Sequence, residues 1–525
     1  MKRLFAKDGS TMGIKLGLLL IFFGVMVGIG LYCRRHTTDV NGFVLGGRSV
    51  GPWLTAFAYG TSYFSAVVFV GYAGQFGWKY GIAATWAGIG NALLGSLLAW
   101  AVLGRRTRIM TQHLNSATMP EFFSQRFGSR SLKIAASVII FIFLIPYTAS
   151  LYNGLSRLFG MAFHIDYSVC VIVMAVLTGV YVIAGGYMAT AINDFIQGII
   201  MIVGIIAVVG AVLNSHGGFL SALDELAQVS DPSVSSTPGV FASFFGPDPL
   251  NLLGVVLLTS LGTWGLPQMV QKFYAIKSEK AIDTGTVIST IFAAIVAGGC
   301  YFLGGFGRLY AGQVDVAAEG YDAIIPAMLS DLPDLLLAVV VILVLSASMS
   351  TLSSLVLTSS STLTLDLLKG HVIKEMDQKR QIFVMRCLIV VFIAISVVLA
   401  IIQYKSNVTF IAQLMGVSWG ALAGAFLAPF LYGLYWKKAT KAACWTSFVF
   451  SSVVMLANIG LNSLFPPVLQ SPINAGAFCM LAGLILVPVV SLFTPKPDAG
   501  LVEEAFSCYE EKVLVRQRQA LGDQQ

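Results

Sequence analysis

Thirteen long apolar segments follow one another along this chain of 525 residues. A helix that crosses the hydrocarbon core of a bilayer needs about 20 mostly apolar residues, and each segment is of that order. The sequence therefore predicts an all-α polytopic membrane protein, a single transmembrane domain over residues 1–525. Numbered in chain order, the predicted spans are 12–32, 51–75, 83–103, 134–158, 167–184, 191–213, 251–271, 284–306, 336–363, 386–404, 409–434, 442–461 and 474–493.

The composition excludes most other classes of protein. Hydrophobic residues make up 57% of the chain and charged residues 11%, against about 45–50% and about 25% in soluble domains. The sequence contains no nucleotide-binding glycine loop or metalloprotease motif. Its seven cysteines are widely scattered, and its five histidines fall in loops or at span ends. We therefore expect a protein that is not an enzyme, lies in a lipid bilayer and binds no nucleic acid.

The basic residues between the spans predict the orientation of the chain. Most of them lie in the odd-numbered loops, whereas the even-numbered loops hold Lys79, Arg308 and Lys405. Loops rich in Lys and Arg stay on the cytoplasmic side. The prediction is a multi-pass protein of the plasma (inner) membrane, with its N-terminus outside and a cytoplasmic tail at about 495–525. In this assignment Lys272 belongs to a loop, just after the seventh span.

Two spans carry glycine and polar residues at mid-membrane. The second span contains the polar stretch 58–66, and the seventh contains 260–268 with Gly262, Gly265 and Pro267. Non-helical backbone at membrane depth is tolerated where it lines a cavity, and interrupted spans at matching positions of two halves indicate an inverted-repeat transporter. The alternative is that these glycines only allow close helix packing. The transporter interpretation predicts core repeats at about 51–213 and 251–434.

The ninth span is rich in hydroxyl groups. Between residues 345 and 368 it carries twelve Ser and Thr residues. Ser350, Ser353 and Ser354 share one helical face because they are three or four residues apart. Ala347 stands one turn before Ser350 and Thr351. Hydroxyl and carbonyl oxygens among small residues suit a hard monovalent cation such as Na⁺.

The sixth span carries an acidic residue, Asp194. A carboxylate at membrane depth is costly unless it is paired or hydrated, which favours a functional role. The alternative is an interfacial residue that caps a helix after Gly185 and Gly186, since Asp is favourable near a helix N-terminus. Position alone leaves both interpretations open.

Five motifs together carry a resemblance to a known family. They are NGFVLGGRS at 41–49, YVIAGG at 181–186, GLPQ at 265–268, ASMSTLSS at 347–354, and Gln413 ahead of WKK at 436–438. In this order they resemble the sodium/solute symporter family, whose members carry sugars, proline, pantothenate, monocarboxylates, choline or iodide. The resemblance runs from about residue 17 to about residue 490. It implies the five-plus-five inverted repeat of the leucine transporter fold, with spans 2–6 and 7–11 as the two repeats.

The resemblance also implies two cation sites. The first uses backbone carbonyls at the break of the second span and at Ala347, together with two hydroxyls of the ninth span. The second, found in some members, combines an Asp with hydroxyls of the ninth span, and predicts two Na⁺ per solute. The residues implied for the first site are Thr61, Phe64, Ala347, Ser350 and Thr351, and those for the second are Asp194, Ser350, Ser353 and Ser354.

The solute site implied by the resemblance lies between the two broken spans. Broken helix ends expose amide groups that suit a carboxylate, and our assignment puts no Lys or Arg at mid-membrane there. Proline carriers of this family have Asp at the position of Tyr63 and Tyr at that of Thr263, which argues against proline. A Tyr at the first break, followed by Ser65 and Ala66, looks more like the pantothenate carriers. The candidate solute ligands are Ser62, Tyr63, Ser65, Thr263, Trp264, Gln268 and Gln413.

Taken together, the sequence predicts a sodium-coupled symporter that works by alternating access. Na⁺ is the expected coupling ion, and the expected cargo is a small organic solute that bears a carboxylate: pantothenate, an amino acid such as proline, or a monocarboxylate. A sodium-coupled sugar symporter with Gln413 as a ligand is an alternative, as is a cation channel or uniporter. The oligomeric state is left open.

Overall fold

The computed structural model describes residues 2–34, 37, 39–163, 166–330, 332–369, 372–373, 375–406 and 411–509. Within these residues the regular structure is helical, and strand-like pairing is confined to isolated bridges such as Val50 with Ile276. The helices that build the spans are Lys2–Arg34, Pro52–Tyr63, Val67–Tyr72, Ala73–Tyr80, Thr85–Gly90, Asn91–Leu98, Trp100–Gly104, Arg105–His113, Arg130–Phe163, Tyr167–Ser215, Pro249–Gly265, Pro267–Ala275, Glu279–Gly304, Asp334–Thr362, Leu363–Leu368, Gln378–Ser406, Ile411–Tyr435, Lys441–Gly460 and Pro472–Phe493.

The described helices account for the predicted number of spans. Ten single helical stretches, and an eleventh made of two helices bent by 46°, are long and apolar enough to cross a membrane. Two of them, Val67–His113 with 47 residues and Tyr167–Ser215 with 49, measure about 70 Å each at 1.5 Å per residue. That is more than twice the thickness of a hydrocarbon core. The first stretch holds the second half of span 2 together with span 3, and the second stretch holds spans 5 and 6. Counted in this way, the described part of the chain contains the thirteen predicted spans.

Glycines divide these two long stretches into spans. Gly81, between spans 2 and 3, has a φ of 62°, and Gly186, between spans 5 and 6, has a φ of 56°, which L side chains rarely adopt. A Cβ atom on Gly186 would lie 2.7 Å from the carbonyl oxygen of Phe43, and one on Gly81 would lie 2.0 Å from that of Phe241. The chain therefore turns at both places where only glycine fits.

Spans 9 and 11 form the centre of the bundle. Most of span 9 and almost all of span 11 are buried inside the protein, and span 9 packs against spans 2, 4 and 6. Outer helices instead expose apolar side chains such as Val203, Val390 and Ile485, as expected where lipid covers the protein. The hydroxyl-rich ninth span thus passes through the middle of the molecule.

One end of the bundle is closed by arginine side chains, and we call it the basic face. Arg48 donates hydrogen bonds to the carbonyl oxygens of Ser116, at 2.5 Å, and Tyr274, at 3.2 Å. Arg126 donates to the carbonyl oxygen of Gly433 at 2.9 Å. These bonds join the segment before span 2 to the end of span 7, and they join the short helix Met119–Phe127 to the end of span 11.

The long loop between spans 6 and 7 carries the helix Phe219–Gln228. The turn at Gly186, before span 6, lies against Phe43 near the basic face. Span 6 crosses the bundle between that turn and this loop, so the loop lies at the opposite end of the bundle.

Candidate cation and solute site

Spans 2 and 7 are both broken at mid-length. The first helix of span 2 ends at Tyr63, and Phe64 is extended, with φ −84° and ψ 117°. In span 7 Leu266 adopts nearly the same conformation, φ −78° and ψ 122°. Pro267 explains the second break, because proline has no N–H group and disfavours helical geometry in the residue before it. Both predicted interruptions are present, five spans apart.

Five oxygen atoms from spans 2 and 9 meet at the first break, and we call them the oxygen cage. Thr351 Oγ1 lies 3.1 Å from the Thr61 carbonyl oxygen and 3.4 Å from the Phe64 carbonyl oxygen. The carbonyl oxygen of Ala347, one turn earlier, is 3.1 Å from the same hydroxyl. Ser350 Oγ lies 3.1 Å from the Thr61 carbonyl and 3.2 Å from the Ala347 carbonyl. All five residues are fully buried.

The oxygen cage has the chemistry of a small cation site. The carbonyl oxygens of Thr61 and Phe64 lie where the first helix of span 2 ends, so they lack the N–H partners that a continuing helix would supply. Buried oxygens without a donor are unfavourable, and a cation at their centre would interact with all five. Neutral carbonyl and hydroxyl oxygens are the ligands that select monovalent cations in membrane proteins. The residues present therefore fit Na⁺.

The second predicted set lies on the next part of span 9 and contains an additional residue. Lys272 Nζ is 3.0 Å from Ser354 Oγ and 3.9 Å from Asp194 Oδ2. Ser353 Oγ instead donates to the Ser350 carbonyl of its own helix, at 2.9 Å. Asp194, Ser353 and Lys272 are all buried. Asp194 and Ser354 therefore meet around an ammonium group.

The assignment of Lys272 to a loop is wrong. The helix Pro267–Ala275 continues past the predicted end of span 7, so Lys272 lies inside the bundle with 2% of its surface exposed. A buried ammonium requires a partner, and Asp194 in span 6 provides one. The charge was overlooked because hydropathy alone cannot separate a polar span end from a loop.

Two of the solute candidates, Tyr63 and Ser65, lie in an aromatic cluster that also contains Tyr147 and Trp419. The ring centroid of Trp419 is 6.3 Å from that of Tyr63 and 6.0 Å from that of Tyr147. The side chains of Ser65 and Trp419 lie near the Tyr147 hydroxyl, but within the described residues no hydrogen bond joins these groups. The Tyr63 hydroxyl is buried and has no hydrogen-bond partner among the described residues. A buried hydroxyl in that state is suited to a ligand.

Three other candidates point elsewhere. Ser62 Oγ is 2.8 Å from Ser354 Oγ, so it faces the neighbourhood of Lys272. Thr263 Oγ1 and Trp264 Nε1 each donate to a carbonyl oxygen of span 3, at 2.9 Å. The structure therefore places these three side chains in contacts between helices.

The two glutamine candidates differ from each other. Gln268 follows the break of span 7 and is fully buried, and within the described residues neither atom of its amide has a hydrogen-bond partner. Gln413 is half-buried near the start of span 11. It precedes Trp419 by six residues, or about 9 Å along the helix. Gln268 is therefore available to a ligand, whereas Gln413 lies apart from the aromatic cluster.

The geometry agrees with a family comparison over most of the chain. The model of the "Sodium:solute symporter family" matches residues 43–449. This chain belongs to the sodium:solute symporter family. The activity common to this family is sodium-coupled transport of a solute across a membrane. The family is one of transporters rather than enzymes.

Curated relatives extend the match. The chain is 28% identical to the sodium/proline symporter of Staphylococcus aureus (strain NCTC 8325 / PS 47) over 504 residues, which cover 92% of this chain and 93% of the relative. The same match is found with the sodium/proline symporter of the strain COL.

Solved structures support the fold. A Na⁺-coupled sialic acid symporter in a substrate-bound outward-open state superposes with a TM-score of 0.73 at 16% identity, over 92% of this chain and 99% of that one. A nucleobase-cation-symport-1 family transporter in a closed conformation gives 0.50 at 13% identity, over 88% and 97%. These likenesses confirm the predicted leucine transporter fold.

A cavity of about 620 Å³ opens on the side of the symporter away from the basic face. Phe76, Tyr80, Asn251 and Arg308 are among the residues that line it. The Phe76 ring packs on Tyr72, with centroids 4.9 Å apart, and Tyr72 lies in the second half of span 2. One wall of the cavity is therefore packed directly against the second half of span 2.

Sequence reasoning missed three residues of this region. Lys272 was visible as a basic residue four positions after Gln268, on the same helical face. Tyr147 and Trp419 lie in long apolar segments, where an aromatic residue is ordinary. Only the packing of spans 4 and 11 against span 2 identifies them.

Proposed function

We propose that this symporter imports a small organic carboxylate together with Na⁺ from the side on which the cavity opens. The observation that carries the proposal is the oxygen cage, because it joins the break of span 2 to span 9 through ligands of both. Na⁺ held there stabilises one arrangement of the two spans. A ligand shifts such an equilibrium only when it binds one state better than the other, and a site shared by two helices provides that difference.

The solute class is argued from the charges near the breaks. Tyr63, Ser65, Tyr147, Trp419 and Gln268 are uncharged, so an ammonium group of a solute would find no carboxylate among them. The first N–H groups after a helix break have no partner within the helix and favour an anion. This supports a carboxylate without a neighbouring amine, such as pantothenate or a monocarboxylate, ahead of proline.

A sodium-coupled sugar symporter is the second candidate. Hydroxyl, indole and amide groups without charge also suit a neutral polyhydroxylated solute, and Gln268 has both amide atoms without a partner in the described chain. The distance of Gln413 from the aromatic cluster removes the residue that favoured this candidate in the sequence. Uptake of glucose, compared with uptake of pantothenate and lactate, separates the sugar symporter from the carboxylate symporter.

The orientation follows from the same proposal. The basic face is cytoplasmic by the distribution of Lys and Arg, which puts the cavity outside and the N-terminus outside the plasma membrane. Entry of Na⁺ is then driven by the membrane potential, which supplies about 2.3 kcal/mol per charge per 100 mV.

The test is uptake of radiolabelled solutes into proteoliposomes that contain the purified protein. Pantothenate, lactate, proline and glucose are each supplied with an inward gradient of Na⁺ or of K⁺. We expect accumulation of pantothenate or lactate above equilibrium with Na⁺ only, and its loss in Thr351→Val. Thr364→Val is the matched control, because Thr364 Oγ1 bonds Ser360 of its own helix at 2.8 Å.

The outcomes are distinct. Accumulation of glucose alone overturns the carboxylate assignment in favour of the sugar symporter. Accumulation of proline alone overturns the proposal that the solute has no amine next to its carboxylate. Equal uptake with Na⁺ and K⁺ contradicts sodium coupling at the oxygen cage.

A further inference from the structure

Lys272 lies beside two of the residues that the family pattern assigns to a second cation site. Its ammonium nitrogen lies 3.0 Å from Ser354 Oγ and 3.9 Å from Asp194 Oδ2. It also lies 5.1 Å from the centre of the Tyr187 ring, which is within range of a cation–π contact. A carboxylate, a hydroxyl and an aromatic face thus surround one positive charge that is part of the chain.

The charges of this group balance without an ion from solution. Asp194 and Lys272 are both buried, and as an ionised pair they carry no net charge. A sodium ion on the same carboxylate would stand beside the ammonium group. Two like charges on one buried carboxylate repel more strongly than in water, because the dielectric constant inside the protein is low.

The oxygen cage has the opposite character. None of its five residues carries a charge, and the carbonyls of Thr61 and Phe64 lie at a helix break. The cage therefore supplies oxygen ligands without any positive charge of its own, whereas the Asp194 site already holds one.

We propose that the Lys272 ammonium permanently takes the place of a second sodium ion, so that this symporter binds one Na⁺, at the oxygen cage, in each transport cycle. The inference rests on the proposed sodium-coupled function and limits its stoichiometry. It replaces the expectation of two Na⁺ that the Asp, Ser353 and Ser354 pattern alone suggests.

The fixed charge also connects the moving parts. Lys272 belongs to the second half of span 7 and pairs with Asp194 of span 6, while Ser354 of span 9 is 2.8 Å from Ser62 of span 2. One turn further, Thr358 Oγ1 donates to the Gln271 side chain at 2.8 Å. A tethered ammonium moves with span 7 instead of leaving to the cytoplasm, so it holds these helices together without consuming an ion gradient.

The experiment counts sodium ions bound to the purified protein in detergent. Radioactive Na⁺ alone is the probe, without any solute, and bound ion is measured by a scintillation proximity assay at rising concentrations. The proteins compared are the wild type, Lys272→Met, Lys272→Arg and the double variant Asp194→Asn with Lys272→Met. Lys277→Met is the matched control, because that lysine is exposed. Size-exclusion chromatography shows which variants fold.

We expect one Na⁺ per wild-type, Lys272→Arg and Lys277→Met protein, and two per Lys272→Met protein, because removal of the ammonium leaves the carboxylate free to bind an ion. The double variant should return to one. If Lys272→Met does not fold, the number of Na⁺ ions bound by the wild type and by the double variant tests the proposal.

Two Na⁺ on the wild type, or one on a folded Lys272→Met protein, would overturn the substitution by Lys272 while sodium coupling stands. No saturable Na⁺ binding by the wild type would instead contradict the proposed function.

Discussion

Two polar regions of span 9 lie one turn apart and differ in the charge that surrounds them. At the oxygen cage, neutral carbonyl and hydroxyl groups leave a place for a cation from solution. Around Ser354 the carboxylate of Asp194 already has Lys272 beside it, with Nζ 3.9 Å from Oδ2. The first region therefore has no charge of its own, whereas the second already contains a buried pair of opposite charges.

A set of potential ligands does not by itself define an ion site. Asp194, Ser353 and Ser354 all occupy the positions that the family pattern requires, and the two hydroxyl-bearing faces look alike in the sequence. The difference comes from a residue on another helix, 78 positions along the chain from Asp194. The charges already present in the assembled site must therefore be counted together with its ligands.

The largest effect on stability is expected from a substitution in the charged region. Asp194→Asn leaves the Lys272 ammonium buried without its partner, and removal of one member of a buried pair lowers stability by about 3–5 kcal/mol. Denaturant-induced unfolding in detergent measures this. The double variant with Lys272→Met should recover most of the loss, since the two residues interact. Equal losses in the single and double variants would show that the two groups do not interact.

A smaller effect is expected on the neutral side. Thr351→Val keeps the shape of the side chain and removes one oxygen from the cage, which leaves buried carbonyls unpaired at about 1–3 kcal/mol. The Na⁺ concentration for half-maximal uptake should rise about 10- to 100-fold. Thr364→Val, on the same span, should leave that concentration unchanged. A similar rise in both variants would indicate a general disturbance of span 9.

The aromatic cluster gives a third prediction, which separates solute from ion. Tyr63→Phe removes a hydroxyl that has no protein partner in the described residues, so the protein without solute loses nothing. If the solute bonds to that hydroxyl, KM for solute should rise by about five- to tenfold, corresponding to about 1–1.5 kcal/mol for a hydrogen bond. Na⁺ binding measured without solute should stay the same. Tyr432→Phe, which affects a bond to the Leu484 carbonyl, is the control and should not change KM.

The smallest effect is expected at the connection between the two regions. Ser62→Ala removes the 2.8 Å contact with Ser354 Oγ, which joins two uncharged groups. Such a bond contributes about 0.5–1 kcal/mol, so the half-saturating Na⁺ concentration should change by less than about fivefold. A change as large as that of Thr351→Val would mean that the cage and the Lys272 site act as one unit.

The sequence predicted the fold and the oxygen cage because both depend on local patterns. Apolar segments of about 20 residues define the spans, and the spacing of Ser350 and Thr351 after Ala347 places their oxygens together on one helix. The family resemblance, not the local pattern, implied the carbonyls of Thr61 and Phe64, and in the structure both lie near Thr351 Oγ1.

The residues that sequence reasoning misplaced depend on contacts between distant segments. Lys272 looked like a loop residue because its partner Asp194 lies on another span. Thr263 and Trp264 stand next to a break but are satisfied by backbone carbonyls of span 3. Trp419 enters the aromatic cluster only through the packing of span 11.

The most direct test of the oxygen cage is thermal unfolding of the purified protein with Na⁺ as its only ligand. Tm is measured in rising NaCl and, at equal ionic strength, in KCl, for the wild type, Thr351→Val and Thr364→Val. An ion that binds only the folded state raises Tm with its concentration. We predict that Tm rises with NaCl for the wild type and for Thr364→Val. Over the same range, Tm of Thr351→Val should not rise. An equal rise for Thr351→Val would contradict it.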